Sequence, residues 1–138
     1  MANHIFQDFL VHAPAAQVFR GISTPEGLDT WWTKHSTRHG DEFALDFGPG
    51  YEWRARVVTS VPDREFELEL TRADEDWTGT KVGFILEGDT QVRFHHTGWP
   101  QSNEHYRVST YCWAMYLRLL KRYVEQGEVV PFDKRLEA

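Results

Sequence analysis

Hydrophobic and polar residues change their spacing twice along this chain. The run His4 to His12 is short and apolar-rich, which predicts a strand. Pro14 then stands where a missing N–H costs nothing, at the start of a helix. Val18, Phe19 and Ile22 follow at helical spacing, so residues 14–23 predict a short amphipathic helix. Thr24-Pro25 opens a second helix, with Thr24 as cap and Pro25 in the first turn. It carries Leu28, Trp31 and Trp32 and is expected to end near Thr33.

From there to about residue 98 the spacing becomes two. Phe43, Leu45 and Phe47 alternate with Glu42, Ala44 and Asp46, and Gly48-Pro49-Gly50 predicts a turn. Tyr51, Trp53, Ala55, Val57 and Val61 share the next alternating run, and Pro62-Asp63 turns the chain again. Residues 65–70 alternate glutamate with Phe66, Leu68 and Leu70, the pattern of a strand with one wet and one buried face. Val82, Phe84 and Leu86 face one way in the following strand. After Gly88-Asp89, so do Val92, Phe94 and His96. Residues 35 to 39 show no alternation and read as a loop.

Beyond Gly98-Trp99-Pro100 the helical period returns. Over residues 103 to about 126, Cys112, Trp113, Tyr116, Leu119, Leu120 and Tyr123 fall on one face, with Leu117 and Val124 at its edge. Arg107, Arg118, Lys121, Arg122 and Glu125 fall opposite. Gly127 stops the helix, and the tail after Pro131 either docks or frays. Short connections between the later strands imply antiparallel neighbours. The expected fold is α+β: a curved antiparallel sheet of about six strands around a long C-terminal helix, with two short helices after the first strand. Residues 1–138 are read as one domain.

Composition narrows the function. The chain has 138 residues and a net charge of −6, which argues against non-specific nucleic-acid binding. One cysteine leaves no internal disulfide and no thiolate metal cluster. No secretory signal opens the chain and no apolar run is long enough to span a bilayer, so the expected location is cytoplasmic, without membrane insertion. Aromatic residues make up 14%, with six tryptophans, enough to line an apolar pocket.

The candidate chemistry lies on the inward faces. His96 shares a strand face with Val92 and Phe94. It reads either as a polar anchor for a ligand or as a structural histidine bonded within the core. Trp53, Phe84, Phe94, Trp99, Trp113 and Tyr116 join it as candidate ligand-binding residues, while Trp77, in the polar stretch Asp74 to Gly79, reads as a loop anchor. Cys112 has no base beside it and reads as an inert thiol. His35 with His39, and His95 with His96, do not form a chelating pattern, because neighbours on a strand face opposite ways. No metal and no cofactor is expected.

Several segments together resemble the START-like or SRPBCC superfamily, and within it the AHSA1-like family related to the activator of Hsp90 ATPase. They are Ala13 to Phe19, Thr30-Trp31-Trp32-Thr33, Trp77 to Phe84, Phe94 to Trp99, Cys112-Trp113, Leu119-Leu120-Lys121 and Glu125 to Phe132. The resemblance implies a helix-grip fold and a cavity between sheet and helix. The leading expectation is binding of a small hydrophobic, aromatic or lipid-like molecule there. An enzyme of cyclase, aromatase or hydrolase type, with His96 and a tyrosine moving protons, is the second reading, and a co-chaperone-like interaction domain the third. An Hsp90-type partner is not expected, because in the eukaryotic activators the resembling domain follows a separate Hsp90-binding domain for which this chain has no residues. A homodimer stays open.

Overall fold

The structure, a computed structural model, describes residues 3–138. Strand β1 (Asn3–Leu10) leads into two helices, α1 (Ala15–Ser23) and α2 (Pro25–Trp31). Six strands follow: β2 (His35–His39), β3 (Glu42–Asp46), β4 (Glu52–Val61), β5 (Glu65–Arg72), β6 (Lys81–Glu87) and β7 (Gln91–Trp99). Helix α3 (Glu104–Gln126) and a short 3-10 segment (Phe132–Glu137) complete the chain. Local chemistry sets the helix ends. The Thr24 hydroxyl accepts the Gly27 N–H at 3.0 Å, and Asn103 accepts the Tyr106 N–H at 3.0 Å. Gly127 closes α3 at φ 71°, a left-handed conformation that a Cβ would oppose.

The strands form one antiparallel sheet in the order β1-β7-β6-β5-β4-β3-β2. Strands β2 to β7 meander, and β1 pairs with β7 at the far edge. The sheet has seven strands, one more than about six. The addition is β2, read from sequence as a loop, which pairs from His35↔Asp46 to His39↔Glu42. Its five residues are all polar, so no alternation marks it; backbone pairing to β3 makes it a strand. No helix among the described residues is long and apolar enough to cross a membrane.

Phe66, Leu68 and Leu70 are buried, as their alternation predicts. The glutamates between them are half-buried rather than solvated. Glu67 accepts a hydrogen bond from His95 at 2.7 Å, and Glu69 pairs with Arg56. Gly83 lies between the Glu67 and His95 backbones, and a Cβ there would come within 2.4 Å of His95 Nε2. The missing side chain is what lets the two groups meet across the middle strand.

Helix α3 is also turned from the expected register. Ser109, Trp113, Leu117, Leu119 and Leu120 are its buried residues, while Cys112, Tyr116 and Tyr123 are half-buried. Trp113 is the largest side chain on the arc and points into the core. Leu117 and Leu120, one and two turns on, follow it inward.

Candidate functional site

The backbone of α3 makes its close approaches to α1, α2 and the 3-10 segment. Toward the sheet, the distance is spanned by side chains. Trp113 meets Phe94 of β7 at a ring-centroid separation of 4.6 Å, and Trp99 meets Tyr106 at 5.3 Å. Aromatic rings therefore form the layer between sheet and helix.

All seven sequence-predicted residues join this layer. Phe84 packs edge-on to Phe94 at 5.2 Å, and His96 lies 4.9 Å from Trp99 and 5.9 Å from Trp113. Tyr116 lies one turn along α3 from Trp113, at 6.4 Å. Trp53 reaches the others through Trp77, at 5.1 Å. The rings meet directly, so the expected space between sheet and helix is occupied by them in this structure.

Three further aromatics, not among those seven, complete the arrangement. Trp77 stacks on Trp113 at 5.7 Å and meets His96 edge-on at 4.5 Å. The loop reading of Trp77 holds for its backbone only. Asp74 Oδ1 accepts the Trp77 N–H at 3.0 Å, a tight turn that throws the indole inward. The polar residues around it hide this in the sequence. Trp32 and Phe47 are the other two, and with them a closed circuit forms. Trp32 to Phe47 is 5.4 Å, Phe47 to Trp53 4.9 Å, and Trp113 back to Trp32 5.3 Å. Phe47 and Trp53 of the circuit, and Tyr116 beside Trp113, are only partly buried, so the circuit has an open side.

His96 is fully buried beside it. The Trp113 indole donates to His96 Nδ1 at 3.0 Å, and His96 Nε2 lies 2.8 Å from Thr80 Oγ1. The Thr80 hydroxyl donates to the Trp77 carbonyl at 2.6 Å. An indole can only donate, so Nδ1 is the acceptor and Nε2 carries the proton. Burial, then the charges of His95 and His105, push the His96 pKa down to about 3. Both ring nitrogens are engaged by the protein. The expectation that His96 offers an atom to a ligand, or transfers protons with a tyrosine, is therefore not met; it ties β7 to α3.

This arrangement predicts a pH dependence. A folded pKa near 3, below an unfolded value near 6.5, means that protons favour the unfolded chain. The contribution is complete above about pH 6.5 and is lost as pH falls toward 3. At pH 5 the loss is roughly 2 kcal/mol relative to neutrality. Gln at this position can accept from Trp113 and donate to Thr80 without titrating. Urea melts of the wild type and His96→Gln at pH 7.5 and pH 5 should show a smaller acid loss in the variant. Equal losses would refute the assignment.

The indole N–H groups of Trp77 and Trp99 are buried without an acceptor among the described residues. Beside them, His105 Nδ1 contacts Asp76 Oδ2 at 2.9 Å, and its ring stacks on Trp77. The hydrogen bond from His105, then that from Asn103, holds the Asp76 carboxyl below its ordinary value. Burial pushes the Cys112 thiol up, away from the reactive thiolate.

No curated protein matches the chain in sequence. Solved structures share its fold. The Aha1 dimer from Colwellia psychrerythraea superposes with a TM-score of 0.81 at 24% identity, covering 91% of this chain and 98% of that one. Protein SSP2350 from Staphylococcus saprophyticus gives 0.76 at 18%, over 93% and 96%. DynU16, a protein in the dynemicin biosynthetic locus, gives 0.72 at 19%, over 93% of this chain and 50% of its own. The fold is thus shared, and residues 12–125 match one sequence family over most of the chain. On that match, the chain belongs to the family of Activator of Hsp90 ATPase homolog 1-like proteins.

Proposed function

We propose that this protein binds a small hydrophobic molecule, aromatic or lipid-like, at the aromatic junction between sheet and α3. The observation that carries the reading is the closed circuit of Trp32, Phe47, Trp53, Trp77 and Trp113 with its half-buried side. Rings at a solvent edge change rotamer on fast timescales, so Phe47, Trp53 and Tyr116 can swing outward while the buried rings stay. A flat ligand then replaces ring-to-ring contacts with its own. Burial of ligand carbon supplies roughly 25 cal/mol per Å² of apolar area. The Trp77 indole N–H, without an acceptor among the described residues, offers a donor to a polar atom of the ligand. DynU16, of similar fold, is a protein of the dynemicin biosynthetic locus.

The uncharged fluorophore N-phenyl-1-naphthylamine tests this reading. It should bind the native protein saturably. Trp53→Ala should weaken it by about three- to tenfold, the worth of one aromatic contact. Binding that appears only in partly denaturing urea would overturn the proposal.

A further inference from the structure

The Arg135 side chain of the 3-10 segment is only 3% exposed. Its Nε donates to the Val130 carbonyl at 3.0 Å, Nη1 to the Thr33 carbonyl at 3.0 Å, and Nη2 to the Asp29 carbonyl at 2.6 Å. Phe132 lies under the guanidinium at 5.4 Å. These bonds dock the tail onto the end of α2. They do not account for the charge. Three neutral carbonyls could be met by a neutral donor, and burying a cation without a paired anion is costly.

The anion within reach is turned elsewhere. Asp29 Oδ1 accepts the Thr33 hydroxyl at 2.6 Å and the Ser36 hydroxyl at 2.8 Å. No carboxylate forms an ion pair with Arg135 among the described residues; the Asp29 carboxylate acts on it only through its field. Burial accordingly pulls the guanidinium below its ordinary value. A guanidinium has five N–H groups, so one on each terminal nitrogen remains after the three carbonyls. Charged N–H donors of this kind are suited to a carboxylate.

Its position adjoins the aromatic circuit. Thr33, which Arg135 holds, directly follows Trp32, whose ring contacts both Phe47 and Trp113. Tyr116 lies 6.4 Å from the Trp113 ring of the same circuit. Burial, then Cys112, raises the Tyr116 phenol, so it remains an O–H donor. A cation with spare donors and a phenol thus stand where the apolar site borders the tail.

We propose that Arg135 is the anion-recognising residue of this site, and that its ligand class is an apolar acid: a flat or chain-like hydrophobic body ending in a carboxylate. The inference rests on the ring-lined site proposed above. The body lies against the rings, and the carboxylate meets the free N–H groups of Arg135 with the Tyr116 hydroxyl beside it. The net charge of −6 works against acids in general, so a preference for one has to be local.

Paired probes of equal shape separate the two ideas. 2-Naphthoate and 2-naphthamide are titrated into the wild type at pH 7.5, with tryptophan fluorescence as readout. The acid should bind about tenfold more tightly, the scale of a charge-assisted hydrogen bond. Arg135→Gln should bring the ratio near one, because it weakens the acid more than the amide. Equal binding of both probes by the wild type, or a ratio that survives in Arg135→Gln, overturns the role of Arg135 while the ring-lined site stands. Binding of neither probe removes the site and this inference together. Should Arg135→Gln fail to fold, Arg135→Lys replaces it: a several-fold fall in the ratio supports the proposal, and an unchanged ratio refutes it.

Discussion

Trp113→Ala is expected to destabilise the fold by about 3–5 kcal/mol, the range for truncating a buried tryptophan. The ring sits at the centre of the aromatic layer. It contacts Phe94 at 4.6 Å, Trp32 at 5.3 Å and Trp77 at 5.7 Å, and those partners come from β7, the end of α2 and the loop before β6. No single neighbour can relax into the space without leaving another. The substitution also orphans His96 Nδ1, which accepts the indole N–H at 3.0 Å. A buried acceptor left without a donor adds a desolvation cost of about 1–3 kcal/mol. Trp113→Phe isolates that second effect, because it keeps most of the ring and removes the donor. Urea denaturation of both variants checks the division, with Phe expected well below Ala. A loss below about 1 kcal/mol for Trp113→Ala would mean that the rings do not form a packed layer.

Gly27→Ala is the second large effect, and its origin is the backbone. A Cβ on Gly27 would stand 2.3 Å from the Arg20 carbonyl oxygen and 2.6 Å from Gly21 Cα. Helices α1 and α2 cross there with glycine against glycine. Alanine favours a helix by about 1 kcal/mol over glycine, but the clash is with main chain, which cannot rotate away. Separating the helices would also disturb Trp31, whose indole donates to the Gly21 carbonyl at 2.8 Å. The expected loss is about 3 kcal/mol or more, at the upper end for overpacking. Gly21→Ala is the control. Its Cβ would meet Leu120 Cδ1 at 3.3 Å, the end of a flexible side chain, so a loss of about 1 kcal/mol or less is expected. If thermal or urea melts find the two substitutions equal, the close crossing is not as described.

Much of the architecture was legible because it is written in local spacing. The alternation at Phe66, Leu68 and Leu70 assigns β5 and its buried face, and Thr24-Pro25 marks the start of α2 where the hydroxyl caps Gly27. Burial acts on each residue through the period of its own element, so a few neighbouring positions suffice. The candidate site was partly legible for the same reason. Phe84, Phe94 and His96 lie on inward strand faces, and Trp113 lies on the inward arc of α3.

What remained hidden depends on partners distant in the chain. The polar strand β2 has no apolar period, and its pairing with β3 creates it. Trp77 enters the aromatic layer because an aspartate turn aims it there, against a local composition that favours solvent. The identity of α3 as an amphipathic helix is sequence-determined, but its rotation is not. A broad aromatic arc can be buried about more than one axis, and insertion of the Trp113 ring chose among them.

Chemistry divides along the same line. Strand alternation alone turns the imidazole at position 96 inward. Its role comes from long-range packing, which puts Trp113 Nε1 on one ring nitrogen and Thr80 Oγ1 on the other. Arg135 is the clearest case, since its carbonyl partners Asp29 and Thr33 precede it by more than 100 positions. Periodicity reports whether a side chain faces the core, because that depends on backbone geometry a few residues long. Hydrogen-bond partners and uncompensated charge depend on which distant segments share the interior, and only the folded chain brings those segments together.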